Sequence, residues 1–269
     1  MNAAAGHDHG RVPAGADPSK PNAARIYNYM LGGKDNYVVD QLVAHRMLAV
    51  APDTRTMAWF SRQFLLKAVQ LAAENSIRQF VDIGTGIPIH PTVYEVAQKV
   101  QPSAVVACID YDPVVYAHCN AATWGRSGVT ALLADVRHPD DVVEQCRTAA
   151  RIDWSQPVAM LLVGVLHYVM DHEQPAAIMT RFRRVMAPGS YLVFTHAWCE
   201  SAQALVDQTT TDTLGSSAQI RYRTTTEVAQ LVADFALLDP GVAPVQDWLG
   251  PDLPITRLAI LGGIGRCPA

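Results

Sequence analysis

The chain is 269 residues long, 49% hydrophobic and 17% charged, with a formal net charge of −4. That much apolar material builds a sizeable core, which excludes a disordered or fibrous chain. No basic patch stands out, so nucleic acid is not expected as a substrate, and a neutral or cationic small molecule is the more comfortable partner.

No apolar run reaches the length of a membrane span, so no membrane partner is expected. Cys108, Cys119, Cys146, Cys199 and Cys267 form no C-x-x-C pair. With no signal peptide in view, they read as reduced thiols of a cytoplasmic protein.

Residues 1–20 lack periodicity and read as a disordered tail. His7-Asp8-His9 within it is a poor metal site, and no metal is expected. Asn22 to Leu31 has helical spacing and stops at Gly32-Gly33. Asp35 is placed to cap a second helix through Val38, Leu42, His45 and Leu48. Ala51-Pro52-Asp53 breaks it, and a longer helix carries Met57, Phe60, Phe64, Ala68 and Leu71 at helical spacing. Residues 21–76 are therefore expected to form a helical N-terminal cap or lid, and 77–269 a separate α/β domain.

Ile77 to Ile83 reads as a short buried strand ending at Asp82-Ile83. Gly84 and Gly86 follow at spacing two, and a helix runs on from Pro91. Strand, glycine turn and helix form the first unit of a nucleotide-type α/β site. A dinucleotide site wants a third glycine and free N–H groups at the helix start. Here the third glycine position is Ile89, and Pro88 and Pro91 lack the donor. A ligand with an adenosine but no phosphate fits better, and S-adenosylmethionine (SAM) is the obvious one.

The next strand tips support that reading. Val105 to Asp110 is a second strand ending in an acid, and a carboxylate there accepts hydrogen bonds from both ribose hydroxyls. The neighbouring Tyr111 joins Asp110 as a cofactor-binding candidate. Asp112-Pro113 opens the following helix, with Asp112 as its cap. Val129 to Ala134 is a third strand. Asp135 at its tip is placed to accept from the adenine amino group, and the Val136 N–H to reach a ring nitrogen.

Pro157 to Val163 is a fourth strand, followed by Gly164 and His167. His167 is the candidate general base, because imidazole titrates near neutral pH; the alternative is a histidine that only shapes the pocket. His172 to Met186 reads as a helix and Ser190 to Thr195 as the fifth strand. Polar residues 197–223 read as a substrate-specific insertion. Thr224-x-x-Glu227 is a capping box. Two short strands, around Ala236–Leu238 and Arg257–Leu261, close the chain.

Asp82-x-Gly84-x-Gly86, Asp110 and Asp135-Val136 resemble the motifs of the class I SAM-dependent methyltransferases. Ala24-Arg25-Ile26-Tyr27-Asn28-Tyr29-Met30-Leu31-Gly32-Gly33-Lys34-Asp35-Asn36-Tyr37 is similar to a narrower actinobacterial group, the S-adenosyl methyltransferase family, long catalogued as a domain of unknown function. The resemblance spans about Pro21 to Arg266. It implies a Rossmann-like α/β fold with a mixed seven-stranded sheet, helices on both faces and a helical N-terminal cap.

The implied activity is methyl transfer from SAM, leaving S-adenosylhomocysteine (SAH), to an unidentified small-molecule acceptor. In such a frame Asp82 orients the turn or meets the methionine amine, and Gly164 gives space at the transferred methyl. Arg25, Lys34 and Asn36 are candidates for the cofactor carboxylate. Tyr29 and Tyr37 are candidates for the lid or substrate face, although helix geometry lets at most one of Tyr27 and Tyr29 face the ligand. The rival readings are a non-catalytic SAM sensor and an NAD-linked oxidoreductase. No Asn-Pro-Pro-Tyr string follows the fourth strand, which disfavours amino methylation of adenine or glutamine.

Overall fold

The computed structural model describes residues 17–268. His7, Asp8 and His9, with most of the expected tail, lie outside the described residues. Three helices come first: α1 (Ala23–Met30), α2 (Val38–Val50) and α3 (Thr54–Glu74). Asn22 caps α1, its side chain accepting from the Arg25 N–H. The rest alternates in the order β1 (Gln79–Ile83), α4 (Val93–Val100), β2 (Val105–Asp110), α5 (Pro113–Thr123), β3 (Val129–Leu133), α6 (Pro139–Thr148) and β4 (Ala159–Leu162). Thr92 and Glu95 form a capping box at the start of α4, and Asp112 caps α5 as its spacing before Pro113 requires.

Two short 3-10 turns, Leu166–Tyr168 and Asp171–Glu173, precede α7 (Pro175–Val185). The expected helix from His172 thus starts later, after Gln174 takes a left-handed backbone. Then follow β5 (Tyr191–Ala197), α8 (Gln203–Thr213), α9 (Thr225–Leu231), β6 (Ala236–Leu237), β7 (Ala243–Pro244), α10 (Val245–Leu249) and β8 (Ile260–Arg266).

The sheet order is β3-β2-β1-β4-β5-β8-β6, with β7 pairing the same β8 further along. The first five strands are parallel, and β8 runs antiparallel to its neighbours. This is the mixed seven-stranded, Rossmann-like sheet of the class I methyltransferase fold, with β7 as a two-residue addition. The last strand was expected at Arg257–Leu261 and lies at Ile260–Arg266 instead. Gly262, Gly263 and Gly265 concealed it, because glycine is depleted in strands. Its lack of a side chain is used here: a Cβ on Gly263 would stand 2.5 Å from the Phe194 ring.

Alternation along each strand sends side chains to two cores. Phe80, Val106, Leu161 and Val193 pack with α3 and α4 on one face. Val81, Ile109, Leu162 and Phe194 pack with residues of α6, α7 and α9 on the other. Among the described residues no helix is long and apolar enough to cross a membrane.

Candidate functional site

From β1 the sheet extends to β2 on one side and to β4 on the other, so strand order reverses between β1 and β4. Ligands of open α/β sheets bind outside the carboxyl ends of strands at that reversal. A cavity of about 520 Å³ lies there. Its floor is made by the tips of β1 to β4 and its walls by α1, α3 and residues following β5.

Gly84 and Gly86 both adopt positive φ, +67° and +68°, a conformation that glycine reaches without steric penalty. A Cβ on Gly84 would meet Val165 Cγ2 at 2.4 Å, whereas one on Gly86 would meet nothing within 4 Å. Thr85 ties the turn to the sheet, its N–H donating to Ile109 O and its hydroxyl to Asp82 Oδ2. Asp82 is buried, and burial pushes its carboxyl up to about 6 against the Thr85 hydrogen bond.

Asp110 Oδ2 accepts from Gly86 N at 3.1 Å and Oδ1 from Asp112 N at 3.0 Å. Burial outweighs these two bonds and raises the carboxyl to about 7. Asp110, Tyr111, Asp135 and Val136 all line the cavity. Burial also acts on Asp135, but hydrogen bonds and charge from Arg137 outweigh it and hold the carboxyl below its ordinary value. The Arg137 guanidinium touches both Asp135 oxygens, reaches Glu173 Oε1 at 2.9 Å, and stands 5.7 Å from the Tyr111 ring centre.

At the tip of β4, Gly164 lines the cavity and donates its N–H to Thr195 Oγ1 at 2.8 Å. His167 reaches the same cavity from the first 3-10 turn. Its Nδ1 is buried without a hydrogen-bond partner among the described residues. Burial, with His196 and Arg223 nearby, holds the imidazole well below its usual range, so it is neutral.

Behind it, His196 Nε2 faces an Arg223 guanidinium nitrogen at 2.8 Å. Arginine only donates, so that nitrogen accepts, and the proton sits on Nδ1, which donates to Ala197 O. The buried Arg223 also donates to Leu166 O, Val169 O and Asp171 Oδ1. It thereby fixes the turn that carries His167.

The N-terminal candidates fall elsewhere. Arg25 does not line the cavity; it is buried in an ion pair with Asp40 at 2.7 Å, donates to Lys20 O, and stands 4.7 Å from the Tyr37 ring centre. A guanidinium already held this way is not available to a cofactor carboxylate. Asn36 is likewise engaged with Asn28 Oδ1, Gly33 O and Gln41. Lys34 is exposed and Tyr37 is the N-cap of α2, both away from the cavity lining. Tyr29 points outward to His45, its hydroxyl 2.6 Å from Nε2. Tyr27 is the tyrosine of that helix that faces the cavity, as the opposite-face argument allows. The Leu31–Tyr37 string is thus a folded joint between α1 and α2.

Arg62 was missed. It lies on α3, lines the cavity beside Asp82, and donates to Ile89 O and Pro91 O while its Nε is buried without a partner among the described residues. A single arginine on an amphipathic helix reads as solvated surface, so nothing in the sequence marked it. Arg137 and Arg223 were missed for a related reason: their partners are remote in sequence or belong to a loop.

A family model described as S-adenosyl methyltransferase matches residues 10–268. A crystal structure of a proposed methyltransferase from Thermobifida fusca YX is 34% identical, covers 93% of this chain and 96% of its own, and superposes with a TM-score of 0.85. A DUF574 family protein from Streptomyces avermitilis is 28% identical, with 94% and 99% covered and a TM-score of 0.87. No curated protein matches the chain.

Proposed function

Because the chain belongs to the S-adenosyl methyltransferase family, and is a SAM-dependent methyltransferase, we propose that the β1/β4 cavity seats SAM on the strand tips with a small-molecule acceptor above it. The single observation that carries this reading is Asp110. Its carboxylate is buried at the tip of β2, lines the cavity, and is held in place by the Gly86 N–H. It suits the two ribose hydroxyls. The open space at the Gly86 Cβ position is where a ligand approaches the backbone.

The adenine end falls to Asp135 and Val136. Arg137 fixes the Asp135 carboxylate, and Tyr111 offers a ring face beside it. Arg62 takes the methionine carboxylate in place of Arg25, Lys34 or Asn36, since its Nε lacks a protein partner. Asp82 is left for the methionine amine. When bound, SAM supplies an electrophilic methyl on a positively charged sulfur.

The protein's share is alignment and exclusion of water. Gly164 leaves room at the tip of β4. His167, neutral and pinned from behind by the Arg223 network, orients the acceptor by hydrogen bonding. A strongly depressed imidazole is a weak base, so this role suits it better than proton abstraction.

The cavity volume lies within the range of small-molecule sites. The test is calorimetric titration of SAH into wild type, Asp110→Ala and Arg62→Ala. Loss of a charged hydrogen-bond partner is expected to weaken binding by about 1.5–3 kcal/mol, roughly tenfold to a hundredfold. An Asp110→Ala protein that binds SAH as tightly as wild type would remove the ribose assignment.

A further inference from the structure

We infer that the acceptor is an uncharged, largely apolar molecule, seated between the N-terminal helices and the segment after β5. This deepens the reading of the cavity as a SAM pocket and rests on it.

Among the described residues, six cavity-lining side chains are of the Asp, Glu, Lys or Arg types: Arg62, Asp82, Asp110, Asp135, Arg137 and Glu173. Arg137 bridges Asp135 and Glu173, so each of these three already has an ionic partner, with one negative charge in excess on the adenine side. Asp82, Asp110 and Arg62 lie around the glycine turn, where the amine, ribose and carboxylate of SAM would meet them. The one histidine in the lining, His167, is held neutral. Among the described residues no charged lining side chain is left without an ionic partner or a part of SAM to meet, so none is free for the acceptor.

The opposite end has a different character. Met30 belongs to a cluster of α1 and α2 that also takes in Ala218. Met57, Leu205 and Leu258 pack in the core cluster of α3, and Met47 borders both clusters. All five line the cavity. A charged acceptor placed against them would lose its hydration without gaining a partner. Methionine side chains adapt to irregular shapes, so the wall accepts an apolar body rather than one fixed outline. The polar groups it does offer, such as the Tyr222 hydroxyl bonded to Thr209, are neutral.

Three probes of one shape and different charge test this: 2-naphthol, 2-naphthoate and 2-naphthylmethylamine. SAH is titrated first, and each probe is then titrated into the SAH-loaded protein. The neutral probe is expected to bind about tenfold or more tighter than either ion. Equal binding, preference for an ion, or no binding of 2-naphthol at millimolar concentration overturns the proposal while leaving the SAM reading intact. Failure of SAH itself to bind overturns both.

Met47→Glu, at a half-buried position on the cavity wall, supplies the second arm. It is expected to weaken 2-naphthol and strengthen the ammonium probe, with the SAH titration reporting that the protein is folded. Unchanged probe preference in this variant would place the acceptor elsewhere and overturn the proposal.

Discussion

Asp110 holds its proton unusually tightly for a carboxyl, up to about 7 in the ligand-free protein, because burial outweighs the N–H groups of Asp112 and Gly86. Ribose hydroxyls donate to the ionised form and favour it. SAH binding should therefore release a proton, and affinity should rise by up to about tenfold per pH unit below 7 and level off above it. Calorimetry at pH 6 in two buffers of different ionisation enthalpy measures the release, and Asp110→Asn should reduce it to the smaller part that Asp82, pushed up to about 6, supplies. The same shift has a stability consequence. The folded state binds more protons than the unfolded state between the ordinary value, 3.8, and about 7. Stability from this group is therefore lost as pH rises through that window. Asp110→Asn should raise the ligand-free Tm most at pH 8, less at pH 5, and little below pH 3.8, the start of that window. At His167 the expectation is the reverse of a titrating base. Its ring nitrogens, followed by NMR, should show no protonation between pH 6 and 8, because burial disfavours the charged form. A ring that titrates in that range would restore it as a general base.

The glycine turn between β1 and α4 separates folding from binding within one element. Gly84→Ala would drive a methyl into Val165, whose side chain is buried, as well as straining a positive φ. It should cost about 2–4 kcal/mol of stability. Gly86→Ala has the backbone strain alone, about 1–2 kcal/mol, and places its methyl in the open space at the turn. It should fold and lose SAH affinity. Denaturant unfolding and SAH titration of the two variants distinguish them, and equal effects on both readouts would undo the assignment of Gly86 to the ligand side. This turn was legible in the sequence because its signal is local: a buried strand, an acid, two glycines at fixed spacing. Asp112 as a cap and Asp110 at a strand tip were legible for the same reason. The Leu31–Tyr37 string misled because specificity of sequence there serves Asn28, whose side chain accepts from Asp35 and Asn36. Arg62 and Arg223 were not legible, since each acts through partners that only the tertiary fold brings near, and Arg137 reads as a loop residue until the fold sets it between its neighbour Asp135 and the distant Glu173.

At the scale of the molecule, the sequence suggested a boundary near residue 76, with a helical cap before it. The structure puts α3 inside the main core rather than over it. Phe60, Phe64, Ala68, Val69 and Ala72 are buried to within 2% of complete exclusion and pack with the strands on one face of the sheet. Burying each large apolar side chain contributes about 1.5–3 kcal/mol, so loss of this helix removes a sum comparable to the whole stability of a domain, about 5–15 kcal/mol. In contrast, α1 and α2 hold a small cluster of their own, Ile26, Met30, Val43 and Ala44 with Ala218; Arg25–Asp40 joins the two helices, and Arg25 and Asn22 tie them to Asp112. Residues 77–268 alone should therefore show no cooperative thermal transition. Residues 51–268 should retain one at a lower Tm, bind SAH, and lose the apolar wall contributed by Met30 and Met47. Circular dichroism melts of the two truncated chains decide the matter. A cooperative melt of 77–268 would make the N-terminal 76 residues a separable cap, and the acceptor wall would then belong to a part that moves independently of the sheet.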